Sequence, residues 1–259
     1  MTQSASEHVL AVATRSVVRT VRQPANVVFP LVFPLLLLAV NAGGLDAATK
    51  LPGFPSDTYV AFALAIPFIQ GALFATMNAG TDLARDIQTG FLNRLALTPM
   101  RGVELLAGQL GGIAAMGVVQ ALVYLAVGLA VGVRLATGPA GAVVLLVFAV
   151  LICIGFGALG AFAALRTGSG EAVQSLFPVF FVFLFLSSMA MPRNLIETDW
   201  FRTVATVNPV SYLIECIRSL IIVGWDAEAL LLGFGIATAI AFVAVALAST
   251  ALRTRLARS

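Results

Sequence analysis

Between Asp82 and Glu104 the chain reads DLARDIQTGFLNRLALTPMRGVE, which sets six ionisable residues between two long uncharged runs. Neither the residue types nor their spacing make a catalytic centre. The only histidine is His8, the only lysine is Lys50, and no GxxxxGKS or GxxxxGKT run occurs. A histidine triad, a histidine metal site within the apolar segments and a phosphate loop therefore cannot be built. What the stretch offers is recognition. Leu83, Ile87, Phe91 and Leu95 recur every four residues with Arg85, Asp86, Gln88 and Arg94 between them, the spacing of an amphipathic helix. Gly90 permits a bend, and Thr98-Pro99 marks a stop because the residue before proline avoids the α region. Ionised side chains in hydrocarbon would cost roughly 2.5–3.5 kcal/mol each, so residues 82–104 belong in water or at headgroups. The alternative reading is a solvated loop helix with no partner.

A second polar region runs from 192 to 226. Asn208-Pro209 is a helix start, with asparagine as N-cap and proline at the first helical position, and Gly224 is a stop. The helix between them is about 22 Å long at about 1.5 Å per residue, too short for a core of about 30 Å. Ser211, Glu215, Arg218 and Ile222 share one stripe, which would put a charge pair at mid-depth. A half-inserted helix fits, with residues 194–207 as its descending partner; an amphipathic helix on the outer surface is the alternative. Four uncharged polar residues, Gln70, Asn78, Gln120 and Gln174, either line a path or hydrogen-bond between helices.

The elements that position these residues follow from composition. With 60% hydrophobic and 10% charged residues and a mean hydropathy of +1.01, the chain is expected to be an all-α integral membrane protein in a single transmembrane domain, 1–259. Basic residues are scattered rather than patched with aromatics, so no nucleic-acid partner is expected. Residues 1–24 carry Arg15, Arg19 and Arg22 on one face and Leu10, Ala13, Val17 and Val21 on the other, as in an elbow helix lying on anionic lipid. Six spans are expected at 27–45, 59–81, 105–133, 135–165, 172–191 and 227–252, with kinks at Pro30, Pro34 and Pro67. Gly108, Gly111, Gly112, Gly117, Gly155, Gly157, Gly160 and the Gly128/Gly132 pair fit either close packing within one subunit or a subunit interface. Six spans put both termini on one side, and ten basic residues there against five opposite make that side cytoplasmic in a multi-pass protein of the cell membrane. Trp200, Trp225, Tyr59, Tyr124 and Tyr212 then fall in the outer half as interface anchors. Cys153 lies in an apolar run and Cys216 in a late loop, too far apart to pair.

Two runs carry a resemblance. Arg85-Asp86, Thr89-Gly90, Leu95, Thr98-Pro99 and Arg101 between spans two and three resemble the coupling segment of type 2 ABC-exporter permeases. Met191-Pro192, Trp200-Phe201, Asn208-Pro209, Tyr212 and Arg218 between spans five and six resemble that family's external region. Within the family the chain is most like the daunorubicin-resistance drug-efflux branch, although Arg85-Asp86 stands where the family often has glutamates. The resemblance implies a homodimer, or a pair with a related permease, resting on separate ATP-binding subunits that hold the ATP and Mg, with no cofactor in this chain. It implies that Asp82, Arg85, Asp86, Gly90, Phe91, Leu92, Arg94, Leu95, Thr98, Pro99 and Arg101 couple to that partner. It also implies that Trp200, Asn208, Pro209, Tyr212, Glu215 and Arg218 form an external gate. The activity implied is transport rather than catalysis, the export of amphipathic or lipid-like substrates such as drugs; the other readings are a secondary carrier and a non-transport scaffold or assembly protein.

Overall fold

The computed structural model describes residues 5–91 and 102–256, and no strand occurs among them. Helix α1 is Ala5–Val21 and α2 is Pro24–Leu45, followed by a 3-10 turn, Asp46–Lys50. Tyr59–Ala63 (α3) and Ala65–Gln88 (α4) form one interrupted helix. After α5, Gly102–Ala130, and α6, Gly138–Thr167, comes a second interrupted helix made of α7, Gly170–Gln174, and α8, Leu176–Phe185. The chain then forms α9, Asp199–Val207, and α10, Pro209–Arg218, which continues as a π turn to Val223; α11, Ala227–Leu256, closes it.

Proline chemistry explains where helices break. Pro67 has no N–H for the Ala63 carbonyl and Pro178 none for the Gln174 carbonyl, and the interruptions at Leu64 and Ser175 fall directly after those residues. Helix α2 carries Pro30 and Pro34 and remains helical throughout. The carbonyls that these prolines leave behind are those of Asn26 and Pro30. Asn78 Nδ2 donates to the Asn26 carbonyl at 3.1 Å and the Tyr124 hydroxyl to the Pro30 carbonyl at 2.5 Å, so neighbouring helices supply the missing donors. New helix starts are capped: Thr58 accepts from Ala61 N, and Ser169 from Ala172 N.

Among the described residues five helical segments are long and apolar enough to cross a membrane: Pro24–Lys50, Tyr59–Gln88, Val103–Ala130, Gly138–Thr167 and Ala227–Leu256. The expected fifth span ends at Phe185, not at 191. Gly170–Phe185 is shorter, about 24 Å at 1.5 Å per residue, and the depth beyond it is filled by turns from Leu186 to Ala190. The helix that carries the expected second span runs on past 81 to Gln88, because nothing before Thr89-Gly90 stops it.

Helix α4 is the central helix, buried along most of its length, while α2 and α11 face largely outward. Glycines allow the close approach. A Cβ at Gly160 would strike the Thr76 backbone, and one at Gly80 would strike Val173 and the Gly160 backbone, so α4 and α6 meet main chain to main chain. Gly108, Gly111 and Gly112 face Val12, Ala13 and Ser16 of α1, Gly117 faces Cys153, Gly157 faces Ile113 and Gly155 faces Ala241. All of these contacts are within the chain. Gly128 packs on Leu64, but Gly132 lies beyond the end of α5 at φ +93°, so the two are not a helical GxxxG pair.

The ends of the bundle are distinct. At one end Arg15 reaches Asp86, Gln88 Nε2 donates to the Gly168 carbonyl and Arg255 Nη1 to the Leu165 carbonyl. At the other, the Tyr59 hydroxyl donates to the Ala190 carbonyl and Thr137 Oγ1 to the Leu220 carbonyl. Helix α1 and the end of α11 therefore share one end of the bundle.

Candidate coupling end and outer hairpin

At the α1 end, residues 82–88 are the last two turns of α4 rather than the start of a separate helix. Gly90, at φ +67°, provides the bend expected there, with Thr89 N donating to the Arg85 carbonyl and Gly90 N to the Ile87 carbonyl. Asp82 and Asp86 stand four residues apart, on one helical face, and that face is turned to α1. Arg15 donates from Nη1 and Nη2 to the two oxygens of Asp86 at 3.0 and 2.9 Å, a bidentate fork. Arg19 bridges both acids, with Nη1 2.8 Å from Asp86 Oδ1 and Nε 3.2 Å from Asp82 Oδ1. The Arg15 guanidinium carbon also sits 3.8 Å from the Phe91 ring centroid.

Of the basic residues on the expected elbow helix, Arg15 and Arg19 are engaged within the chain by this clamp, and Arg22 is left exposed. The signal was present in the sequence as two arginines and two aspartates, each pair spaced four apart. Asp86 is 4% exposed; of the other described coupling residues Arg85 is exposed and Asp82, Gly90 and Phe91 are half-buried. Beneath them Leu83, Ala84, Leu105, Leu106, Ala164, Val173, Ala251 and Leu252 form a second apolar core. Leu92, Arg94, Leu95, Thr98, Pro99 and Arg101 lie outside the described residues.

At the opposite end α9 and α10 meet at 80°, with Asn208 at the corner. Its Oδ1 accepts from Val210 N at 2.9 Å, the expected N-cap. Its Nδ2 donates to the Phe183 and Leu186 carbonyls at 2.6 and 3.0 Å, tying the hairpin to the frayed end of α8. Arg218 is 5% exposed. Its guanidinium donates from Nε to Phe62 O at 3.0 Å, from Nη1 to Ser188 O at 2.6 Å and from Nη2 to Met189 O at 2.5 Å. The guanidinium carbon lies 3.4 Å from the Phe62 ring centroid.

The expected charge pair does not form within α10. Glu215 pairs instead with Arg193, which also stacks 4.6 Å from the Tyr212 ring centroid. Burial is the largest single influence and works against the Arg193 charge, but the Glu215 carboxylate and the Tyr212 hydroxyl together outweigh it and hold the guanidinium above its ordinary range. The Tyr212 hydroxyl donates to the Thr206 carbonyl, closing the hairpin on itself, and Trp200 stays exposed. Tyr59 and Tyr124 are buried core residues rather than interface anchors, and Cys216 is buried in α10 rather than placed in a loop. Sequence reasoning missed the three carbonyls that receive Arg218, because they come from two distant segments.

The four path candidates are not brought together. Asn78 and Gln120 line one cavity of about 30 Å³ with Ser16, Thr20, Asp82 and Gln109, room for one or two waters. Gln70 is buried elsewhere in the core, and Gln174 is exposed. Among the described residues no group of three His, Cys, Asp or Glu side chains gathers as metal ligands.

A family model described as ABC-2 type transporter matches residues 7–222. Over 200 residues the chain is 29% identical to the daunorubicin resistance ABC transporter permease protein DrrB1 of Streptomyces coeruleorubidus, covering 75% of this chain and 66% of that protein. It is 26% identical over 220 residues to the putative transport permease ycf38 of Pyropia yezoensis, covering 83% and 74%.

Proposed function

The chain belongs to the ABC-2 type transporter family, and on that premise we propose that it is the membrane-spanning subunit of an ATP-driven exporter. Its role is that of a transport permease, and the relatives it matches are named as such. ATP and Mg are held by a separate ATP-binding subunit. That partner docks on the segment after α4, and a second permease copy completes the path. The termini and the docking segment face the cytoplasm, a placement supported by the ten-to-five basic bias. The substrate is amphipathic or lipid-like, a drug or a lipid, a reading supported by the resistance permease among the relatives.

The observation that carries the coupling reading is the double clamp of Arg15 and Arg19 on Asp82 and Asp86. It joins α1, α4 and, through Phe91, the start of the charged segment into one block. A push delivered after Gly90 then moves the elbow and the central helix together. Truncating a buried anchor at such a contact commonly costs about 2 kcal/mol or more. Phe91→Ala with Leu95→Ala should abolish export and weaken co-purification of the ATPase while membrane insertion is unchanged. Full export with undiminished capture of the ATPase would reject this docking site and favour the scaffold reading.

A further inference from the structure

We propose that the outer cleft beside the hairpin binds the headgroup of a zwitterionic phospholipid. The cleft, about 470 Å³, lies within the size range of small-molecule sites, roughly 300–1,000 Å³. Its lining includes the apolar Phe54, Val133, Ile221 and Ile222 and two charged residues, Asp57 on the loop before α3 and Arg134 on the loop before α6. Both are exposed, and among the described residues neither has an ion-pair or side-chain hydrogen-bond partner. One carboxylate and one guanidinium, unpaired on facing loops, complement a solute that carries an ammonium and a phosphate together.

The source is the membrane rather than a free solute because of what surrounds the cleft. Leu51, Val131, Val223 and Trp225 are all exposed on the flanking segments, an apolar and tryptophan-bearing rim of the kind found at a lipid–water boundary. The walls are also what hold the hairpin. Ala136 N donates to the Ile221 carbonyl at 2.9 Å and Thr137 Oγ1 to the Leu220 carbonyl at 2.7 Å. A headgroup bridging Asp57 and Arg134 braces those walls around the π turn, so the lipid is a cofactor of the outer gate.

Binding is measured without ATP or transport, so its failure would leave the exporter reading standing. The purified protein in mixed micelles is offered equal phosphatidylethanolamine and phosphatidylglycerol, and the retained lipid is counted by native mass spectrometry. Wild type should keep the ethanolamine lipid at least tenfold over the glycerol lipid. Asp57→Asn and Arg134→Gln should each lower that preference roughly tenfold, the scale of one lost charge-assisted contact, with a melting temperature that matches wild type in lipid-free detergent and falls below it once the ethanolamine lipid is added. No preference, or a preference that both variants retain, overturns the site. Displacement of the lipid by equimolar glycerophosphoethanolamine would assign the cleft to a free solute and overturn the membrane source.

Discussion

The Asn78 amide and the Tyr124 hydroxyl show how a polar side chain inside a membrane protein can be explained by the backbone it serves. Each donates to the carbonyl that a proline of α2 leaves unpaired. An unmet carbonyl in such surroundings costs about 1–2 kcal/mol. Tyr124→Phe should therefore lower stability by about that amount in a reversible denaturant titration. In a Pro34→Ala background, where residue 34 regains its N–H and can serve the Pro30 carbonyl, the same change should cost much less. Equal losses in the two backgrounds would rule out this pairing. The sequence made Asn78 look like a path residue or a bridge between helices, and its bond to Asn26 favours the bridge. Nothing local could settle it, because the relevant proline is 48 positions earlier in the chain.

At the scale of the element, the outer hairpin was legible in outline. Asn208-Pro209 and Gly224 marked the ends of the α10 segment, and they do so. What it packs against was not legible. Arg218 binds carbonyls released by two irregular segments, one at the α3–α4 break and one past the end of α8. An arginine fork can reach three acceptors in one plane, whereas a lysine ammonium cannot reproduce that geometry. Arg218→Met leaves three carbonyls without a donor and should loosen the hairpin by about 3 kcal/mol or more. The native thiol of Cys216, fully buried two residues earlier, reports this directly. With Cys153 replaced by alanine, a membrane-permeant thiol reagent should leave wild type unlabelled and label Arg218→Met; equal protection in both would reject the latch.

For the whole molecule, the two ends of the bundle differ in what they hold. One carries the Arg15–Arg19–Asp82–Asp86 clamp, the second apolar core, α1 and the last described turn of α11; the other carries the hairpin and its cleft. If the basic bias sets orientation, the clamp end is cytoplasmic. In a background without Cys153 and Cys216, a cysteine at Ser56 should react with an impermeant reagent on intact cells, and cysteines at Glu7 or Thr254 should react only after permeabilisation. Labelling of Glu7→Cys on intact cells would reverse the orientation.

The sequence by itself determined the class, the helices and their approximate limits, because uncharged length, proline, glycine and capping residues act locally on hydrogen bonds the backbone must make. It determined the two regions where polar residues gather, since charges are too costly in hydrocarbon to be scattered freely. Tertiary structure alone decided which partner each polar group takes. Arg15 and Arg19 meet Asp86 across 71 and 67 positions, and Arg218 meets Phe62 across 156. Such pairings depend on which helices become neighbours, and that is set by where glycines let main chains touch, as Gly160 does against Thr76. The shortened α8 has the same origin: Asn208 supplies donors to the Phe183 and Leu186 carbonyls at its end, and Arg218 to the Ser188 and Met189 carbonyls just past it, so the chain need not continue a helix there.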